Sequence, residues 1–206
     1  MKAIIMSGGQ VRDDGFVKEL ALSGDMLICA DSGVMNALRL GLHADICVGD
    51  FDSSTPPEDA ATEWVTLPTE KDDTDTMSAA RIAVERGADE VMILAGTGTR
   101  LDHTVGNLSV LEFLRQRGVK ARLIDENNQV FLAGEGTYFI PKAEGEFLSL
   151  LPFCSQPVIS VSGVKYPLER KLLPTDQPLG VSNVILDNEA TLKVEKGVVA
   201  VFLSRD

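Results

Sequence analysis

The first half of the chain alternates between short apolar runs and segments with helical spacing. Apolar runs that stop at glycine or at acidic residues predict β-strands, and they are KAIIM (2–6), DMLICA (25–30), ADICVG (44–49), WVTLPTE (64–70), EVMILAG (90–96) and VKARLIDE (119–126). Apolar positions at helical spacing predict helices over 33–41, 73–87 and 101–118. Strands that are apolar throughout and alternate with helices are typical of a parallel sheet with helices on both faces. We therefore predict an α/β domain over residues 1–125.

The second half changes character after about residue 126. Short β-rich runs recur there between Gly, Pro, Asn and Asp residues, and they are QVFLAG, GTYFI, EFLSLLPF, PVISVSG, VILDNEATLKVEKG and VVAVFLS. This pattern predicts an antiparallel β-sandwich or barrel over residues 126–206. The segment IDENNQ (124–129) is the predicted connection between the two domains.

Charge and composition argue against several classes of function. The 206 residues carry a net charge of −12, which disfavours a nucleic-acid surface and electrostatic attachment to anionic lipid. No apolar run reaches the roughly 18 residues of a membrane span, and the first residues lack the long apolar region of a secretory signal. Cys29, Cys47 and Cys154 are widely spaced in apolar segments, as expected of buried thiols in a reducing compartment. We therefore expect a cytoplasmic protein with no nucleic-acid or membrane partner.

Acidic residues gather in three loops that follow predicted strands of the first half. Asp50 and Asp52 follow the third strand; Lys71, Asp72, Asp73 and Asp75 follow the fourth; Asp102 and His103 follow the fifth. In a parallel sheet such loops leave the carboxyl ends of the strands, where open α/β folds bind ligands. The acids are therefore expected to converge in one crevice although they are far apart along the chain.

Such a cluster of carboxylates needs compensation. Two like unit charges 4 Å apart repel by about 4 kcal/mol at an effective dielectric constant near 20, so either some acids protonate or a cation lies among them. Mg²⁺ prefers oxygen ligands and is commonly held by one or two carboxylates together with phosphates. We predict that Asp50 and Asp52 hold a Mg²⁺ ion that binds a polyphosphate. A polar turn or a helix cap explains any one cluster equally well, but three clusters after parallel strands favour the metal.

Two glycine-containing loops are further candidates for phosphate binding. Gly8 and Gly9 follow the first strand, and GTGTR (96–100) combines glycines with an arginine. Neither loop matches the dinucleotide fingerprint or the Walker motif. A tight turn at the first loop and an ordinary loop at the second remain open as alternatives.

Six short motifs, taken in order, resemble the bacterial thiamine pyrophosphokinase family. They are VGDFDS (48–53), EKDDTD (70–75), RLDHTVGN (100–107), SLLP (149–152), GVKYPL (163–168) and GVSN (180–183). The resemblance implies transfer of a pyrophosphoryl group from ATP to the hydroxyethyl group of thiamine, in a reaction that requires Mg²⁺. It also implies a homodimer in which the α/β domain of one subunit and the β-domain of the other build each active site.

The resemblance also implies roles for particular residues. The catalytic set comprises Asp50, Asp52, Lys71, Asp72, Asp75, Arg100 and Asp102, of which Asp50, Asp52 and Asp75 are the predicted metal ligands. The ligand-binding set comprises Asp31, Thr74, Arg100, His103, Asn107, Ser182 and Asn183, with Asp31 on the nucleotide side and the Ser-Asn pair by the thiamine pyrimidine. Asp72 and Asp102 are alternative acceptors for the proton of the thiamine hydroxyl.

The chain departs from the family pattern at two positions in the nucleotide loops. Thr99 and Ser32 each stand where the family usually has glycine, and a positive φ at Thr99 would be strained. Two other functions remain as alternatives: a pyrophosphokinase that acts on another alcohol such as a pterin, and a thiamine- or nucleotide-binding protein without catalysis.

Overall fold

The computed structural model of the protein describes residues 1–51, 57–70, 72–98 and 100–206, without the side chain of Ser155. Predictions about Asp52, Lys71 and Thr99 therefore lie outside the described residues. The chain divides into two compact units, Met1–Glu126 and Asn127–Asp206. Across the described ranges, no helix is both long and apolar enough to cross a membrane.

The first unit is a parallel sheet with helical connections, which confirms the predicted α/β class. Its strands are β1 (Lys2–Met6), β2 (Met26–Ala30), β3 (Ala44–Gly49), β4 (Ala61–Thr66), β5 (Glu90–Leu94) and β6 (Lys120–Ile124). Its helices are α1 (Asp14–Leu22), α2 (Gly33–Arg39), α3 (Asp75–Glu85) and α4 (Leu101–Arg115), and a 3-10 turn at Glu58–Ala60 precedes β4. The strands are ordered β6-β5-β1-β2-β3-β4, and every neighbouring pair is parallel.

Burial explains why the central strands have no alternating pattern. In β1, β2 and β5 the last four residues of each strand are all buried, because side chains on both faces of the sheet are covered. Among the α-helices of this unit, α1 is the one that the sequence pattern missed. Only Val17 and Ala21 are buried along its length, too few for a recognisable apolar stripe.

The second unit is built from antiparallel strands, as predicted. They are β7 (Asn128–Ala133), β8 (Gly136–Pro141), β9 (Phe147–Ser162), β10 (Leu168–Leu172), β11 (Gly180–Asn183) and β12 (Glu189–Ser204). Strand β12 pairs with β9 along most of its length, and on its other edge it pairs first with β8 and then with β7. One buried cluster contains residues from both halves of β9 and β12, so the strands fold over a shared core.

Two strands in this unit are longer than the sequence runs suggest. The runs EFLSLLPF and PVISVSG belong to the single strand β9, and the β-rich runs on either side of Gly197 belong to β12. The pairing register shifts near Lys196, and Gly197 has a positive φ of 82°. The irregular residues are therefore absorbed as bulges, which bend a strand without ending it.

Candidate active site

The strand order of the first unit reverses at β1. From β1 the chain passes to β2, β3 and β4 on one side, and from β4 it returns to β5 on the other side. Open α/β sheets bind ligands outside the carboxyl ends of the strands at such a switch point. A cleft of about 460 Å³ lies there, lined by residues 7–10, 30–32, 50, 69, 73–76, 95–98, 100, 103, 104 and 107.

Most of the predicted site residues of the first unit line this cleft. They are Asp31, Asp50, Thr74, Asp75, Arg100, His103 and Asn107. Asp72 and Asp102 are exposed and are not among the described lining residues. Ser182 and Asn183 belong to the second unit.

Asp31 occupies an unusual position at the end of β2. Its φ is 45°, in the left-handed region, and its backbone N–H donates to Val48 O at 2.8 Å. Gly49 makes this approach possible, because a Cβ at residue 49 would lie 3.0 Å from the Cα of Asp31. Among the described residues, the buried Oδ1 of Asp31 has no hydrogen-bond partner. A buried acceptor of this kind calls for a donor or a cation.

The start of α3 brings further polar groups to the cleft. The Thr74 hydroxyl caps the helix by accepting from Met77 N at 3.2 Å, and Asp75 lies in the first turn. The hydroxyls of Ser7 and Thr76 form a buried hydrogen bond of 3.0 Å that joins the end of β1 to this helix. A carboxylate in a first helical turn interacts favourably with the helix dipole, so Asp75 suits this position.

Some cleft residues were not singled out in the sequence analysis, among them Ser7 and Thr76, whereas Asp73 was named only as part of an acidic loop. Asp73 accepts from Arg81 Nε at 2.7 Å, and this hydrogen bond raises the pKa of Arg81. The Arg81 guanidinium in turn lies 4.8 Å from the ring centroid of Phe113 on α4. For Ser7 the available signal was its position directly after a strand, the same signal that identified the acidic loops.

Arg100 and Asp102 form a two-point ion pair at the start of α4. Arg100 Nη2 donates to Asp102 Oδ2 at 2.5 Å, and Arg100 Nε donates to Oδ1 at 3.2 Å. The hydrogen bond from Arg100 lowers the pKa of Asp102, and both side chains are exposed. Asp102 is therefore an ionised partner that restrains the Arg100 side chain.

The loops after β1 and β5 pack against one another at the switch point. Gly9 N donates to Ala95 O at 2.8 Å, and a Cβ at residue 9 would lie 2.3 Å from the carbonyl oxygens of Ala95 and Thr97. The Asn107 amide donates to Gly96 O at 2.7 Å, and the Thr97 hydroxyl donates to Asp125 Oδ2 at 2.8 Å. A side chain from α4 and one that directly follows β6 thus hold the loop after β5 in place.

Ser32 departs from the family pattern and packs against the first loop. A Cβ at Gly8 would lie only 2.0 Å from Ser32 Oγ, so a side chain at residue 8 would require the Ser32 hydroxyl to move. Ser32 itself lines the cleft at the start of α2. The hydroxyl thus occupies the space that faces Gly8.

In the second unit, the Asn183 side chain is used inside the protein. Its amide nitrogen donates to Tyr166 O at 2.9 Å, and its Oδ1 accepts from Tyr166 N at 3.0 Å and from Val184 N at 2.9 Å. Ser182 is exposed, has a φ of 59°, and donates its backbone N–H to Ser149 Oγ at 3.0 Å. Asn183 therefore holds the segment around Tyr166 against β11, next to the exposed Ser182.

The donor set of the cleft suits a hard cation. Asp31, Asp50 and Asp75 contribute carboxylates to its lining, and oxygen ligands are those that Mg²⁺ prefers. The buried Oδ1 of Asp31, without a donor in the described part of the chain, agrees with that chemistry. Within the described ranges, which exclude Asp52, no group of three or more His, Cys, Asp or Glu side chains is close enough together to hold a metal ion.

The fold places the first unit among open α/β proteins, a class in which ligands bind at the switch point where this cleft lies. The family model described as the thiamin pyrophosphokinase catalytic domain matches residues 17–123, and the model of the vitamin B1 binding domain of thiamin pyrophosphokinase matches residues 137–199. The chain is 32% identical over 187 residues to the thiamine pyrophosphokinase of Bacillus subtilis (strain 168), with 87% of each protein covered. The chain belongs to the thiamine pyrophosphokinase family.

Solved structures of other family members have the same fold. The crystal structure of thiamine pyrophosphokinase from Bacillus subtilis matches with a TM-score of 0.88 at 29% identity. That of a thiamin pyrophosphokinase family protein from Enterococcus faecalis matches with a TM-score of 0.85 at 26% identity. Both comparisons cover 100% of each chain. The family resemblance predicted from six short motifs is thereby confirmed.

Proposed function

We propose that the protein transfers the pyrophosphoryl group of ATP to the hydroxyl group of thiamine, giving thiamine diphosphate and AMP. The supporting observation is the cleft at the switch point, which is lined by the carboxylates of Asp31, Asp50 and Asp75. All three residues lie within the segment that matches the catalytic-domain model. The match of residues 137–199 to a vitamin B1 binding domain supports thiamine as the acceptor. No observation favours a pterin or another alcohol as acceptor, or a binding protein without catalysis.

Positioning and charge neutralisation dominate transfer reactions of this kind. Arg100 lines the cleft, and its ion pair with Asp102 restrains the guanidinium there. We assign Arg100, together with Lys71, to neutralising charge on the transferred group. The loops at 7–10 and 95–98 lie beside the switch point and take the phosphate chain of ATP.

We propose Asp50, Asp52 and Asp75 as the residues that hold Mg²⁺. The all-oxygen donor set and the buried Asp31 oxygen support this assignment. When bound, Mg²⁺ supplies positive charge that neutralises phosphate oxygens and polarises the phosphorus. Asp31, Thr74, His103 and Asn107 line the same cleft, which supports their assignment to the nucleotide side of the site.

The surroundings of Asp102 support Asp72 as the acceptor of the hydroxyl proton. The hydrogen bond from Arg100 lowers the pKa of Asp102 and so makes its carboxylate a weaker base. We therefore assign Asp102 to holding Arg100, which leaves Asp72 as the proposed acceptor of the hydroxyl proton. The acidic cleft also suits thiamine, because thiamine is a cation.

We propose a homodimer in which the second unit of one subunit contributes to the active site of the other. The exposed apolar residues of the second unit support such an interface; they are Phe139, Phe147, Tyr166, Leu172, Leu179, Val181 and Leu186. In this arrangement Ser182 and Asn183 lie beside the thiamine pyrimidine. Light scattering should give a mass about twice the 22.2 kDa of the chain. A cytoplasmic location remains a prediction from the sequence.

AMP release from ATP tests the proposed function directly. We expect AMP and thiamine diphosphate only when thiamine and Mg²⁺ are both present. A chelator should abolish the reaction, and added Mg²⁺ should restore it. A panel containing a hydroxymethyl pterin serves as the acceptor control. Turnover with the pterin but not with thiamine would overturn the proposal.

A further inference from the structure

Asn36 forms hydrogen bonds with the loop that follows β1, although it does not itself line the cleft. It lies on α2, and its side-chain amide donates to Ser7 O and to Gly9 O, each at 3.0 Å. Both N–H donors of one amide are therefore used on one loop. Asn36 is partly buried and is not among the described residues that line the cleft. Its contacts in this region are therefore with the loop and not with the cleft.

The surroundings leave this loop little freedom to move. A Cβ at Gly9 would clash with the backbone carbonyls of Ala95 and Thr97, and a Cβ at Gly8 would displace the Ser32 hydroxyl. Gly9 N also donates to Ala95 O at 2.8 Å. Asn36 thus holds one side of a loop whose other contacts are with the second cleft loop.

The geometry of the peptide bond links Asn36 to the opposite side of the loop. In a planar trans peptide the C=O and the following N–H point in opposite directions. Because Ser7 O and Gly9 O point toward Asn36, the N–H groups of Gly8 and Gln10 point away from it. Among the described residues neither N–H group has a hydrogen-bond acceptor, although both residues line the cleft.

We propose that Asn36 is a positioning residue that orients the Gly8 and Gln10 N–H groups toward the phosphate chain of the nucleotide. Backbone N–H groups that face one concavity form an anion site, even where the Gly9 N–H between them is bonded to Ala95 O. This inference rests on the proposed function for the identity of the ligand as ATP. The orientation itself requires only an anionic phosphate chain in the cleft.

Equilibrium binding of inorganic tripolyphosphate and of adenosine tests the proposal without turnover. The proteins compared are the wild type, Asn36→Asp, Asn36→Ser and the control Met35→Ala, which alters an exposed neighbour on α2. Asn36→Asp loses both donors and should weaken tripolyphosphate binding about tenfold or more. Asn36→Ser keeps one hydroxyl donor and should show a smaller loss. Adenosine binding should be unchanged in every variant, and Met35→Ala should match the wild type.

Amide spectra of the ¹⁵N-labelled wild-type protein provide a measurement that does not depend on a variant folding. Tripolyphosphate should shift the Gly8 and Gln10 resonances downfield, as expected for new hydrogen bonds to phosphate oxygens. Resonances that do not move on saturation would overturn the proposal, as would equal binding of tripolyphosphate by folded Asn36→Asp and the wild type. If the wild type binds tripolyphosphate as described but forms no thiamine diphosphate, the proposed function fails and the role of Asn36 stands.

Discussion

A methyl group at residue 9 should disable the cleft while leaving the fold in place. In Gly9→Ala the new Cβ would lie 2.3 Å from Ala95 O and 2.3 Å from Thr97 O, whereas real contacts of this kind stay above 3.0 Å. Both neighbours are backbone atoms, so one loop must move by at least about 0.7 Å. A displacement of that size in a positioned loop costs about a hundredfold in rate. Overpacking of this kind costs about 1–3 kcal/mol of unfolding free energy.

The assay for Gly9→Ala is kcat/KM for ATP, measured by AMP release at saturating thiamine and Mg²⁺. Urea unfolding of the same samples gives the change in stability. Gly15→Ala is the matched control, because its Cβ would meet only Asp13 Oδ1, at an ordinary 3.4 Å, on the exposed start of α1. The control should keep wild-type kcat/KM and its stability within about 1 kcal/mol. A folded Gly9→Ala protein with kcat/KM within threefold of the wild type would refute the reasoning.

Three further predictions concern other residues. Asp50→Asn should lower AMP formation about a hundredfold or more at saturating Mg²⁺ without changing the melting temperature, and near-normal turnover would contradict its metal role. Asn183→Ala should lower the unfolding free energy by about 2–3 kcal/mol, because it leaves backbone groups of Tyr166 unpaired; a loss below about 0.5 kcal/mol in urea unfolding would argue against this. The hydrogen bond from Arg115 lowers the pKa of Glu112 from its ordinary 4.5, so this pair stabilises the fold above that pH and loses its effect as the pH falls through the lowered pKa. The unfolding free energy of the wild type should therefore exceed that of Glu112→Gln by about 0.5 kcal/mol at neutral pH and equal it in strong acid. A difference in unfolding free energy that stays constant across the pH range would rule out the ion pair as its cause.

The local sequence pattern was sufficient to predict those strands and helices whose buried residues form a recognisable apolar run or a capped start. Strands β1, β2 and β5 are buried on both faces, so they appear as continuous apolar runs. Helix α3 carries its own start signal in the Thr74 cap. Helix α1 buries two residues only, and β10 is almost wholly exposed, so neither has a pattern that local reasoning can detect.

The candidate site divides in the same way. Carboxylates after strands and the ordered motifs predicted where the cleft lies, and Asp31, Asp50 and Asp75 line it. The sequence could not show that Asp102 forms an ion pair with Arg100. It also had no signal for Thr76 as a lining residue.

The sequence by itself determined the class of each half of the chain, the family, and the loops in which the acidic residues occur. Periodicity and short motifs are properties of neighbouring residues, so they can be recognised without a fold. Only the tertiary structure decided which side chains face the cleft and which side chains outside the cleft form hydrogen bonds with its loops. Asn36 is 29 positions from Ser7 and 27 positions from Gly9 in the sequence, and only the packing of α2 beside β1 brings its amide within hydrogen-bond distance of both carbonyls.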